Sequence, residues 1–412
     1  MPDGGLPNDV AAELFAQWCS VLAATTLGIQ GSGAGSAGLE RIYTFGSGAD
    51  KRFSLTRDPN SNVWRLKERV GIEESPIRSI LTSAASRTAA RDFGDEILYQ
   101  VQLESKTPDL GTRQNQLNFA RLLGAQVRIA GRRRLSDRVL LEFIEDPAAE
   151  PLLFAPTTRI KVTVFVPGPG EGPLTQRVAF ALIETVAAII AFALGRSVAL
   201  PPLGVVPLRA AADVAAAGRL RSDPSIGGLA RAGVSLDIFG DLVKLGGSEA
   251  MLRARAAFIT LHEALAQTNA DVATILYVSA IEALIAPNQG WGRDRLTKRF
   301  VEAVLSLCTT AIDETLAHQN LEQAFQYRKK GSKEQQRRRL LERIYHLRSR
   351  PSHEGMGLSG GAMFNLIVGD TSIRLGLLSD ITTAAVLAYL TAPRSFLTGH
   401  PGVDPRPLDT SA

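Results

Sequence analysis

The sequence predicts an α+β domain over residues 1–245, an all-α up-and-down helical bundle over 246–398, and a disordered tail over 399–412. Three observations lead there. In the first part, short segments of period-two alternation are interleaved with segments of helical period; after about Gly246 every apolar segment repeats at three and four residues. The tail GHPGVDPRPLDTSA is rich in proline and has no apolar period. At 412 residues the chain also exceeds the length at which a single core keeps growing, so two domains are expected.

Taken in order, residues 9–28 have a helical pattern, and GSGAGSAG at 31–38 reads as a flexible tether because it follows no strand at phosphate-loop spacing. Residues 39–45, 53–56, 96–103 and 139–144 are strand candidates. The clearest strand is 158–166, where Ile160, Val162, Val164 and Val166 alternate with Lys161, Thr163 and Phe165. Helical patterns at roughly 62–90 and 114–127 lie between them, and Arg132, Arg133 and Arg134 read as a basic turn. PGPGEGP (167–173) then closes the strand and introduces an apolar helix, itself closed by PPLGVVP (201–207).

That helix contains an apolar run from Val178 to Gly195, flanked by Arg177 and Arg196 and interrupted by Glu184 and Thr185. A glutamate at mid-span is costly in a bilayer, and the many alanines suit close packing, so a buried helix and no membrane attachment are expected. The opening MPDGGLPNDV has no basic segment leading into an apolar one, and the two cysteines, Cys19 and Cys308, are far apart. A cytoplasmic protein without a disulfide framework is the expectation. The N-terminal part contains no HExxH, no nucleophile elbow and no phosphate-binding glycine loop.

In the second part, 250–267, 271–285, 294–308, 333–350 and 377–390 carry helical apolar stripes, with short connections that suit an up-and-down bundle. Two ionisable residues interrupt those stripes. Glu282 lies four residues after Val278 and three before Ile285; Arg348 lies four after Ile344 and seven after Leu341. Opposite charges on inward faces are tolerated where they pair. His353 follows Arg348 by five residues, with Pro351 between them. A proline drives its predecessor out of the α region, so the helix is expected to break there and let both side chains converge. His346 falls off the stripe and reads as a surface residue; His262, His318 and His400 have no acidic or nucleophilic pattern around them.

Charge is uneven. The chain is +5 overall, yet residues 326–350 hold ten Lys or Arg against Glu334 and Glu342. Such a face attracts a polyanion such as RNA. Lys329, Lys330, Lys333, Arg337, Arg338 and Arg350 are the candidate phosphate contacts; a solvated helix face is the alternative.

LYVSAIEALI (276–285), a basic helix after it, and IYHLRSRPSHEG (344–355) together resemble the HEPN superfamily, closest to its ApeA-like branch. The resemblance covers about 150 of the 412 residues. An arginine, a polar residue and a histidine four residues further on match Arg348, Ser349 and His353, and the acidic residue of the second helix matches Glu282. The resemblance implies a HEPN-like bundle acting as a metal-independent endoribonuclease with no cofactor. It implies a homodimer whose two Arg–His segments meet in one cleft, in a setting such as phage defence or toxin-like RNA cleavage. In those roles His353 is the acid or base, Arg348 holds the phosphate, Ser349 donates a hydrogen bond and Glu282 orients Arg348. The alternative is a noncatalytic RNA- or protein-binding module of the same fold.

Overall fold

A computed structural model of the chain describes residues 8–37, 40–46, 52–58, 63–105, 131–144, 159–194, 197–201, 205–223, 237–243, 249–285, 293–353 and 366–391. The helical expectation at 114–127 and the tail at 399–412 lie outside these. The described chain combines antiparallel sheets with helices and is mostly helical in its C-terminal half, as an α+β region followed by a helical one requires. Two compact units interleave along the sequence: residues 1–100, 164–181 and 205–214 form one, and 101–163, 182–204 and 215–412 the other.

In the first unit, α1 (Asn8–Leu27) and α2 (Glu74–Ala89) pack together beside a sheet in the order β1 (Ser32–Ala37), β2 (Glu40–Phe45), β3 (Arg52–Arg57), β4 (Trp64–Val70). Leu14, Phe15 and Trp18 of α1, Ile77 and Ile80 of α2, and Phe45, Phe53 and Leu55 of the sheet share one core. Burying side chains of that size contributes about 1.5–3 kcal/mol each, which is what holds α1 on the sheet.

Two expectations are corrected here. The segment read as a tether is strand β1, paired antiparallel to β2 from Ser32 opposite Phe45 to Ala37 opposite Glu40. Backbone hydrogen bonds form the ladder and need no side chains, so a Ser/Gly/Ala strand forms where its neighbour supplies the register. The helical pattern at 62–90 is helical only from Glu74; Trp64–Val70 is β4, paired with β3. Gly71, at φ +65°, turns the chain out of the strand through a left-handed conformation that a side chain would resist. Pro76 then sits in the first turn of α2, where its missing N–H costs no intrahelical bond.

A second sheet has the order β10 (Val206–Pro207), β5 (Glu96–Ser105), β8 (Arg159–Pro167), β7 (Val139–Ile144), β6 (Gly131–Ser136), with β9 (Val198–Ala199) also on β5. The three arginines expected in a turn belong to β6, which forms a hairpin with β7. Cross-strand chemistry accounts for this: Arg132 lies opposite Glu142, with Nε 3.3 Å from Oε1. On β8 Ile160, Val162, Val164 and Val166 are fully buried as expected, but Thr163 and Phe165 are buried too, so beyond Lys161 both faces of the strand are covered and burial does not alternate.

The apolar run lies in α3 (Pro173–Leu194). Among the described residues, three helical windows, Val10–Leu27, Pro173–Phe192 and Ile373–Leu390, are long and apolar enough to cross a membrane by length and composition. Of these the second is the most enclosed, with 61% of it buried inside the protein. Phe192 near its end meets Phe239 of α5 (Asp237–Leu242) and Phe258 of α6 (Glu249–Ala266), at ring-centre distances of 6.0 and 4.8 Å. Between them in sequence lies α4 (Ala211–Ser222).

The helical region continues with α7 (Ala270–Leu284), α8 (Arg293–Ala317), α9 (Leu321–Phe325), α10 (Lys333–His353) and α11 (Leu366–Thr391). α7 packs on α6 and α11, α8 on α10 and α11, and α10 reaches α7 as well. α8 bends at Cys308, whose φ of −139° and ψ of 45° are not helical. Asn269 caps α7, its side-chain oxygen accepting from the N–H groups of Asp271 and Val272.

Within this bundle burial pushes the Asp380 carboxyl on α11 up from 3.8 to about 6, and the negative charge of Glu314 on α8 adds to the effect. The folded state therefore favours the neutral acid. Its contribution is complete below the unfolded value near pH 4 and is lost as pH rises through about 6. Asp380→Asn should stabilise the protein by roughly 1–2 kcal/mol at about pH 7.5 and leave it nearly unchanged at about pH 4. Urea denaturation of both proteins at the two pH values checks this.

Candidate functional site

The sequence gives α10 a stripe of Leu340, Leu341, Ile344 and Leu347, all buried, and one residue further on places Arg348 at the edge of that stripe. On α7, Val278 and Ile281 are buried and Glu282 sits beside them. Where α7 and α10 pack, the two charges meet: Arg348 Nη2 is 3.1 Å from Glu282 Oε2, with 29% of each side chain exposed. The pairing expected from the interrupted stripes is present, at a seam between two helices and only partly sealed from water. Such a pair is worth less than a dry one but escapes most of the desolvation cost.

A third residue completes the cluster. Tyr345 donates its hydroxyl to the other oxygen, Glu282 Oε1, at 3.1 Å. Its ring lies 5.1 Å from that of Phe300 on α8, and the Arg348 guanidinium carbon is 5.8 Å from the tyrosine ring centre. Burial, followed by the charge of Glu282, pushes the Tyr345 hydroxyl up to about 12, so it stays a donor at neutral pH. Each carboxylate oxygen of Glu282 thus has its own donor. Tyr345 suits the family resemblance but carried no site role in the sequence reading; its signal is its place three residues before Arg348, on the same helical face.

The expected break at Pro351 is corrected. α10 runs without interruption to His353. Pro351 gives up its own N–H bond to the carbonyl of Leu347 and crowds that carbonyl, but its fixed φ is helical and the chain continues for two more residues. Positions 348 and 353 are therefore offset by about 140° around one helix axis, and the break does not bring them together. The side chains of Ser349, Arg350 and His353 lie outside the described part of the structure.

The basic face is largely engaged within the bundle. Arg337 forks Asp313 of α8 with both contacts at 2.7 Å, and Lys333 reaches the same carboxylate at 2.9 Å. Hydrogen bonds from Arg337 and then Lys333 hold the Asp313 carboxyl well below the usual carboxylate range. Arg338 spans Glu302 of α8 at 2.5 Å and Glu334 at 3.1 Å. Arg339 donates to the Lys330 carbonyl at 2.7 Å and Arg343 to that of Phe325 at 3.2 Å. Lys329 and Lys330 are exposed. Asp313 and Glu302 were not legible as partners in the sequence, because only the crossing of α8 and α10 puts them opposite these arginines.

Among the described residues no three His, Cys, Asp or Glu side chains come together as a metal-binding group. Comparison of the chain with protein-family models, with curated proteins and with solved structures finds no match.

Glu282→Ala removes an acceptor shared by two donors and should lower stability by about 1–3 kcal/mol. Glu282→Gln keeps one oxygen acceptor and should cost less. Urea denaturation of the two variants beside the parent gives the comparison.

Proposed function

We propose that the helical region is a metal-independent endoribonuclease of the HEPN type, acting on RNA as a homodimer, in phage defence or toxin-like RNA cleavage, and regulated by the N-terminal region. The observation that carries this reading is the Arg348–Glu282 pair with Tyr345 on its second oxygen, one turn from the end of α10 at His353. A guanidinium has five N–H donors in a planar fork that matches the oxygens of a phosphate.

In this mechanism His353 takes the proton of an RNA 2′-hydroxyl or gives one to the departing 5′-oxygen. The 2′-oxygen bonds to the adjacent phosphorus as the 5′-oxygen bond breaks, giving a cyclic phosphate and a free 5′-hydroxyl. Arg348 balances charge on the non-bridging oxygens, and Ser349 donates a hydrogen bond. Because positions 348 and 353 of one chain diverge around their helix, the partner chain supplies the histidine that meets a given arginine.

A second reading, an RNA- or protein-binding module without chemistry, is favoured by one observation: the helix continues through Pro351, so positions 348 and 353 of one chain point about 140° apart. Cleavage of a labelled RNA by the pure protein in EDTA separates the two. The nuclease reading expects cleavage that falls ~10²–10⁴-fold in His353→Ala, with thermal melts and dimer mass unchanged. Arg348→Ala should lose cleavage and bind RNA more weakly. Full activity in His353→Ala overturns the mechanism. Binding without any cleavage by the parent protein establishes the second reading instead.

A further inference from the structure

The first unit contains a cavity that follows directly from the composition of β1. Directly opposed residues of an antiparallel pair share a face, so Ser32, Ala34 and Ser36 lie on the face of their partners Phe45, Tyr43 and Arg41. α1 packs over the β2 and β3 part of that face, whereas Ser32, Ala34 and Ser36 of β1 are exposed. Beneath β2 and β3 the space is filled by Phe45, Phe53 and Leu55 with Phe15 and Trp18. Beneath β1 there are only two hydroxymethyl groups and a methyl, and a cavity of about 490 Å³ remains.

Its roof is one face of α1, with Glu13, Ala16, Gln17 and Ser20 at helical spacing, and its third wall is the start of α3 from Gly172 to Arg177. These walls are fixed to each other through Gln17, which is buried. Its amide donates to the Gly170 carbonyl at 2.7 Å and its oxygen accepts from the Leu174 N–H at 3.2 Å. The cavity is therefore built into the fold, and its volume lies within the range of small-molecule sites.

Its chemistry is mixed and asymmetric. Tyr43 and Phe45 offer aromatic carbon, Ser20, Ser32 and Ser36 offer hydroxyls, and two arginines share one carboxylate: Arg41 lies 4.0 Å from Glu13, and Arg177 pairs with its other oxygen. Glu171 also lines the cavity, but Arg209 holds it through two contacts at 2.8 and 3.3 Å. Counting every charge in these contacts, three guanidiniums face two carboxylates. The Arg41 and Arg177 side chains are 50% and 62% exposed while Glu13 is only 17% exposed, so the cations stand toward the opening.

We propose that this cavity binds a small organic anion with a flat apolar body, its oxygen-anion head taken by Arg41 and Arg177 and its body lying beneath β1 against Tyr43. The site is independent of the nuclease reading. Guanidinium forks match the planar or tetrahedral oxygens of a carboxylate, sulfonate or phosphate head. The aromatic floor and the absence of bulk on β1 select a planar body over a sugar or a peptide.

Anilinonaphthalene sulfonate, which has both parts, is the probe, titrated into the full-length protein by fluorescence, with its uncharged counterpart lacking the sulfonate as control. The expected result is saturable binding at one site per chain, at least about tenfold tighter than the uncharged dye. Ala34→Phe fills the cavity and should abolish that binding, with the thermal melt showing that the variant folds. The double variant Arg41→Ala with Arg177→Ala alters exposed side chains and keeps the test decisive if Ala34→Phe does not fold; it should weaken the probe about tenfold or more. Glu13→Gln, which removes the competing carboxylate, should tighten it. No saturable binding, equal affinity for the uncharged dye, or undiminished binding by the double variant would each overturn the proposal.

Discussion

A helix that turns arginines toward its neighbours can lie only where those neighbours present carboxylates. α10 carries this constraint at three places. Asp313 and Glu302 of α8 receive Arg337 and Arg338, and Glu282 of α7 receives Arg348. Leu340, Leu341 and Ile344 supply the buried area between them, but apolar stripes alone permit sliding by a turn. Charge-assisted contacts resist it, because a displaced guanidinium gives up its paired carboxylate and leaves both groups to water. Register in this part of the bundle therefore belongs to the ion pairs, and attraction to the leucines.

The same constraint changes the meaning of the basic composition. Ten cations in 25 residues look like a polyanion surface when counted along the chain. In the fold, Asp313 alone engages two of them, and Glu302 with Glu334 engages a third. Arg339 and Arg343 close on backbone carbonyls. Electrostatic attraction for a nucleic acid depends on the field left after such pairing, so Lys329 and Lys330, exposed ahead of α10, weigh more than their share of the count.

What the sequence made legible was what side chains encode. β8 could be read as a strand because Ile160, Val162, Val164 and Val166 are buried, although the burial of Thr163 and Phe165 on the opposite face was not foreseen. Glu282 and Arg348 could be read because an ionisable group on an apolar stripe demands a partner. β1 could not, since Ser, Gly and Ala carry no alternation and its strand is held by backbone bonds to β2. β4 was hidden by an opposite effect: Trp64 to Val70 holds five residues exposed on one edge of a sheet, and its polar pattern merges with the helix after Gly71. Pro351 misled because its fixed φ is itself helical, and the lost bond and crowding at the Leu347 carbonyl did not end the helix. Asp313 and Glu302 lay beyond sequence reasoning, their relation to Arg337 and Arg338 being set by how two helices cross.

The bend in α8 acquires a different character when its neighbours are considered. Glu302 precedes Cys308 and Asp313 follows it, so the two arms of the bent helix are grasped separately, by Arg338 and by Arg337 with Lys333. Consecutive arginines point about 100° apart on a helix, which lets a straight rod reach both arms at once. α10 is thus a splint laid across a fracture. The thiol at the bend is buried, its acidity suppressed by that burial, and donates to the Val304 carbonyl of its own helix at 3.4 Å. Loosening the first two turns of α10, which carry Lys333, Arg337 and Arg338, would release both arms of α8 from it at once, and the bend would lose the ion pairs that flank it.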